Sequence, residues 1–245
     1  MRRWLGIAFG VATHVLFAVT VWRLYWFLYG RPAPEHPQAL WIDAALAIQF
    51  AVPHSLLLWP PVRKRLGRWI QSEFYGCFYC VATCLSLWVL FDGWRSSPGL
   101  WWECGPWAAW LVRGGFLASW IGLFYSLHLT GLGYQTGLTP WLHWLRGEKL
   151  PRRDFVPRGA YRWFRHPVYL SFLGLIWFTP VMSSDHGVLT AVWTVYIFLG
   201  SYLKDERLEH YLGDSYGEYR RSVPGYPFLP TPRRGSWQAH PSRPV

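Results

Sequence analysis

The residues best able to do chemistry lie in two short runs. The first is Arg165-His166-Pro167-Val168-Tyr169. Proline is favoured in the first turn of a helix, where its missing N–H is not needed, so Arg165 and His166 are expected at a helix N-terminus. Free N–H groups and the helix dipole attract anions there, and a carboxylate bound by Arg165 would gain charge-assisted hydrogen bonds. The second run begins Lys204-Asp205-Glu206-Arg207 and continues to Val223-Pro224. It reads as an amphipathic helical tail over 204–230, ended near Pro224. A cation on one wall and carboxylates on the other suit a zwitterionic ligand. The plainer readings are a basic membrane boundary for the first run and a solvated, salt-bridged helix for the second.

Three histidines add to this. His54, His128 and His166 each end or open a separate apolar run, so their imidazoles are expected to meet at one face. Imidazole accepts or shuttles a proton near neutral pH. Haem or metal ligation is the other use of such a cluster, and we assign no metal ligands. His14 lies in mid-run without company and reads as structural. Cys77, Cys80 and Cys84 fall at helical spacing within an apolar stretch, with Cys104 apart; they read as small packing residues rather than a redox or zinc pair.

The elements that must position these groups are membrane spans. Charged residues make up 15% of the chain and aromatics 20%, with nineteen tryptophans, too little charge to cover a soluble surface. Apolar runs at 5–29, 39–59, 74–94, 105–128, 168–182 and 187–203 predict an all-α polytopic bundle of about six transmembrane helices. A span needs about 20 residues, so the last two, short and closely linked, read as a tight hairpin. The first run follows Arg2 and Arg3 without a small-residue cleavage site and reads as a retained helix rather than a signal peptide. The chain is expected to form one integral membrane domain over 1–245, with a disordered tail at 231–245.

Charge orients the bundle. All but Arg23, Arg31, Arg95 and Arg113 of the 24 lysines and arginines collect on one side, in the start, the 63–68 turn, the 129–166 loop and the tail, including Arg152, Arg153, Arg233, Arg234 and Arg243. Six crossings with both termini cytosolic satisfy the positive-inside rule. The net charge of +11 is thereby explained by topology, and no nucleic-acid partner is expected. Arg23, Asp43, Asp92 and Arg113 fall at similar depth in the opposite half and are expected to pair or snorkel. Gly115, Ser119, Gly122 and Ser126 give the fourth span a small-residue face for close helix packing.

Arg165-His166-Pro167-Val168-Tyr169, a hairpin, and then Leu212-Gly213-Asp214-Ser215-Tyr216-Gly217-Glu218-Tyr219 through Val223-Pro224 together resemble the isoprenylcysteine carboxyl methyltransferase and phospholipid methyltransferase superfamily. Gln49-Phe50-Ala51-Val52-Pro53-His54-Ser55 is similar to the corresponding segment of its methanethiol S-methyltransferase branch, near the NnrU proteins and nurim. The likeness covers roughly 40–230. It implies S-adenosylmethionine bound on the cytosolic side by Arg165, His166, Tyr169 and Asp205, with Glu206 and Tyr219 at the same site. It also implies a small apolar thiol as acceptor and a bacterial inner-membrane location; because the thiolate is the nucleophile, His54 or His128 is expected to take the thiol's proton. A prenylcysteine or phospholipid acceptor, or a non-catalytic nurim-like scaffold, are the alternatives. One position departs from the pattern: Lys204 stands where many relatives have a glutamate. It is expected to weaken a contact to the cofactor's ammonium or ribose, unless Glu206 takes over that role.

Overall fold

The computed structural model describes residues 3–30, 33–151 and 155–229. Arg2, Arg31, Arg152, Arg153 and the 231–245 tail with Arg233, Arg234 and Arg243 lie outside the described residues. The elements in chain order are α1 (Arg3–Gly30), α2 (Ala39–Leu58), α3 (Pro60–Leu66), α4 (Ser72–Gly93), β1 (Leu100–Glu103), α5 (Pro106–Thr130), α6 (Leu132–Gln135) and α7 (Leu138–Arg146). A 3-10 turn (Gly159–Arg162), α8 (Pro167–Trp177), β2 (Val181–Ser183), α9 (Ser184–Leu212) and α10 (Asp214–Ser222) complete the chain.

Five helices, α1, α2, α4, α5 and α9, are long and apolar enough to cross a membrane. The fifth expected crossing differs from the expectation. Instead of a helix over 168–182, α8 has eleven residues, about 16 Å at 1.5 Å per residue. The chain then turns tightly, the Thr179 N–H meeting the Trp177 carbonyl at 2.9 Å, and enters β2, which pairs antiparallel with β1, the strand between α4 and α5. Irregular backbone is tolerated at membrane depth only where its polar groups are satisfied. Here the carbonyl of Thr179 accepts the Trp102 indole N–H at 3.3 Å and that of Pro180 accepts the Cys104 N–H at 2.8 Å. The hairpin's second arm is not short: α9 has 29 residues, about 43 Å, so Lys204-Asp205-Glu206 continues it instead of opening a separate helix.

The helices close into a ring. α1 packs on α4, α4 on α2, α2 on α9, α9 on α8 and α8 on α5, and Tyr25 and Tyr29 of α1 meet Phe116 of α5 at 5.6 and 5.9 Å between ring centroids. Val11, Val15, Val19, Ile48, Ile121 and Val195 remain exposed, as lipid-facing positions should, because lipid is as apolar a solvent as the interior. The small-residue face of α5 is used against α8: Gly122 faces Ser171, Gly115 faces the Phe178 ring, and Gly174 of α8 faces Ser119. Arg23 pairs with Asp92 and stacks over Trp88 at 4.4 Å. Asp43 and Arg113 do not join them. Asp43 accepts the backbone N–H of Arg95 at 3.0 Å, and Arg113 lies over Trp110 at 5.7 Å.

Between α6 and α7, Gly137 has φ +81°, and a Cβ there would run into the backbone of Gly76 and Cys77. Gly147, at the end of α7, has φ +71° but open space around it. Left-handed backbone costs a non-glycine residue roughly 1–2 kcal/mol. Gly147→Ala is therefore expected to cost about that much, and Gly137→Ala clearly more, since the α4 backbone must also give way. Thermal unfolding of the two variants in detergent, followed by tryptophan fluorescence, checks the order.

Candidate active site

The ring encloses a cavity of about 1890 Å³, above the roughly 300–1,000 Å³ usual for a single small-ligand site, so there is room for two ligands. One wall comes from the end of α2. Pro53 has no N–H to give the carbonyl four residues back, and that carbonyl, of Gln49, lies 3.5 Å from the Ser86 hydroxyl of α4, which also accepts from Gln49 Nε2 at 2.9 Å. This junction sets the azimuth of His54, which lines the cavity. The Tyr79 hydroxyl is 2.8 Å from His54 Nε2 and Thr83 Oγ1 is 3.3 Å from Nδ1. Phe50 and Tyr196 also pack on the ring, and Ser55 donates to the Tyr196 hydroxyl at 3.3 Å.

The opposite wall is built where α8 starts. His166 caps the helix and Pro167 opens it, as the sequence predicts. The backbone N–H groups of Arg165 and His166 are then taken by the carbonyls of Pro224 at 2.9 Å and Gly225 at 3.1 Å, which ties the first motif to the tail of the second. Asp205 is the hub. Its Oδ2 accepts from Arg165 Nε at 3.2 Å, Arg165 Nη2 at 2.9 Å and His166 Nε2 at 3.1 Å, and its Oδ1 accepts from the Tyr216 hydroxyl. Arg165 Nη1 donates to the carbonyls of Arg220, at 2.8 Å, and Val223. Burial pushes the His166 imidazole below the usual histidine value, with Asp205 pulling the other way. A neutral ring donating Nε2–H to an ionised Asp205 fits both influences. Burial together with the facing carboxylate pushes the Tyr216 phenol far up, so it serves as a fixed donor.

The expected constellation is therefore present, with its parts redistributed. Arg165, Tyr169, Glu206 and Tyr219 line the cavity, while His166 and Asp205 stand behind its wall. Glu206 also pairs with Arg220 at 2.8 Å, Tyr169 donates to the carbonyl of Gly200 at 3.3 Å, and Tyr219 donates to that of Tyr161. The three histidines do not meet. His54 and His166 occupy different walls with different partners, and His128 is exposed and absent from the lining. Helical phase decides this, because Leu127 and Leu129 reach the cavity edge while His128 between them is turned away. Among the described residues, no three His, Cys, Asp or Glu side chains lie close enough to hold a metal ion. Cys77 packs in a small core with Phe74 and Trp141, whereas Cys80 and Cys84 face the cavity.

Sequence reading placed Lys204 at the cofactor site only as a weakened contact, and missed Arg207 as a cavity residue. Both line the cavity, and the signal was their spacing of three, which places them on one helix face. Tyr79 and Tyr196, which also line the cavity, had no local pattern to mark them.

These features define a class: an all-α polytopic membrane protein with a large cavity between a half-buried histidine and an Arg–Asp–His–Tyr lattice. No family model matches the chain, and no solved structure does. Several characterised proteins do. The chain is 29% identical over 236 residues to methanethiol S-methyltransferase 1 of Bradyrhizobium diazoefficiens, covering 90% of this chain and 81% of that one. It is 28% identical over 248 residues to methanethiol S-methyltransferase of Mycobacterium tuberculosis, covering 96% and 99%. Nurim of Xenopus laevis is 30% identical over 167 residues, 64% of this chain and 58% of that protein. The likeness to the methanethiol S-methyltransferase and nurim branch, read first from motifs, thus holds over most of the chain.

Proposed function

We propose that this protein is an integral membrane methyltransferase that moves a methyl group from S-adenosylmethionine to a small thiol, methanethiol being the favoured acceptor and dimethyl sulfide the product. The observation that carries the reading is the two-walled cavity, with a half-buried imidazole at the α2 wall and the residues of the Arg165–Tyr169 and Tyr216–Val223 motifs at the other, in a chain similar over most of its length to methanethiol S-methyltransferases. The room in the cavity and its aromatic and charged lining suit an adenosyl compound beside a small apolar acceptor.

The donor supplies an electrophilic methyl on a sulfonium. The thiol sulfur forms the new C–S bond as the old one breaks, the bonding pair returns to the donor sulfur, and the thiol proton must leave. Such a transfer needs little covalent help; it needs in-line positioning and exclusion of water. His54 takes the thiol proton in this scheme, steadied by Tyr79, because the thiolate is the nucleophilic form. Tyr169, Tyr219 and Glu206 shape the cofactor side, and Asp205 with His166 holds Arg165 and the tail in place. The basic end of the bundle, carrying α3 and the Arg165 turn, faces the cytosol by the positive-inside rule, in a bacterial inner membrane.

A scaffold role is the second reading, favoured by nurim and by the way the Arg165 lattice satisfies itself. Calorimetric titration of the purified protein with S-adenosylmethionine, followed by headspace detection of dimethyl sulfide after methanethiol is added, separates the two. Saturable binding and cofactor-dependent product are expected. Absence of both leaves the scaffold.

A further inference from the structure

A zwitterionic donor carries a carboxylate, and Arg165, the residue the sequence suggested for it, is already engaged. Its Nε and Nη2 donate to Asp205 and its Nη1 to the carbonyls of Arg220 and Val223. Such a guanidinium braces the tail; to bind a ligand anion it would have to abandon buried partners, at a cost typical of breaking buried charged hydrogen bonds.

Two other cations face the cavity from α9. Lys204 and Arg207 both line it, and neither takes part in an ion pair among the described residues. Lys204 Nζ lies 5.5 Å from the centroid of the Tyr161 ring and 5.6 Å from that of Tyr169. Aromatic faces attract an ammonium through their quadrupole without neutralising it. The half-buried Arg207 guanidinium lies within electrostatic reach of Lys204 and of His54, Tyr79, Tyr169 and Tyr196, which line the same cavity. The acids nearby are taken: Asp205 by four donors from three residues, Glu206 by Arg220. Two like charges three residues apart on a partly desolvated wall repel each other, and an anion between them relieves both that repulsion and their lack of partners.

We propose that Lys204 and Arg207 form the subsite for the donor's carboxylate in this chain. The inference rests on the methyl-transfer reading above and deepens it.

The test uses the purified full-length chain in detergent and two stable ligands. S-Adenosylhomocysteine carries the carboxylate, and 5'-methylthioadenosine lacks the amino-acid end altogether. Calorimetry is expected to show roughly 10- to 100-fold weaker S-adenosylhomocysteine binding in Lys204→Gln and in Arg207→Gln, the size of one lost charge-assisted hydrogen bond. Methylthioadenosine affinity should be unchanged, which also reports an intact pocket, and Lys204→Arg should retain most of the S-adenosylhomocysteine affinity. If Lys204→Gln fails to fold, Arg207→Gln carries the same comparison. Wild-type affinity for S-adenosylhomocysteine in both glutamine variants overturns the assignment while leaving the methyltransferase reading intact. A wild-type chain that binds neither ligand overturns the methyltransferase reading, and this subsite with it.

Discussion

Replacement of His54 by alanine is expected to lower methanethiol methylation by about 10²- to 10⁴-fold, the usual contribution of a positioned general base, with S-adenosylhomocysteine binding unchanged. The imidazole lies on the α2 wall, away from the Arg165 lattice, and its partners are the Tyr79 hydroxyl and Thr83 Oγ1. Its loss therefore removes a proton acceptor without touching the opposite wall. Tyr79→Phe should give a smaller fall, because the ring keeps Thr83 and its aromatic neighbours. The readout is dimethyl sulfide formed per minute at saturating donor, set beside the calorimetric affinity. Full turnover in His54→Ala would take the histidine out of the mechanism, and a parallel loss of cofactor binding would assign it to packing. His128→Ala, on an exposed side chain outside the cavity lining, should leave both quantities as they are.

The second large effect is expected at Asp205. Its carboxylate is 3% exposed and gathers Arg165, His166 and Tyr216. Removing one partner of a buried ion pair leaves the other charge uncompensated, which typically costs 3–5 kcal/mol. Asp205→Ala should therefore lower the thermal unfolding midpoint in detergent sharply and abolish cofactor binding, since Arg165 loses the anchor that presents it to the carbonyls of Arg220 and Val223. Asp205→Asn keeps an acceptor of the same shape but no charge, so its midpoint should fall between the two. Tyr216→Phe, which removes one donor to the carboxylate, is the mild end of the series. A midpoint in Asp205→Ala equal to that of the unaltered protein would show that the tail is held by its apolar contacts, Tyr216, Tyr219 and Val223 against Phe155.

The two readouts keep the walls apart. Variants on α2 and α4 should alter rate at constant affinity, and variants of the Asp205 lattice should alter stability and affinity together. That division follows from the ring of helices, in which α9 stands between α2 and α8.

Much of this was legible without coordinates. The scarcity of charge and the apolar runs determine a helical membrane bundle, since a spanning backbone must satisfy its own hydrogen bonds and the chain has no pattern for a barrel. The Pro167 start of α8 follows from proline's missing N–H. The pairing of the Arg165 run with the 204–224 tail was legible as complementary charge. What the sequence could not decide is direction around each helix and path between helices. One residue of phase turns His128 outward, whereas Lys204 and Arg207 face inward. The helix of the fifth crossing stops at Trp177, and the chain beyond it is held as β2 by β1, a partner some eighty positions earlier in the chain. Arg165 spends its donors on Asp205 and the tail carbonyls because folding brings those acceptors within hydrogen-bond reach, and only tertiary packing could determine which cation was left to face the cavity.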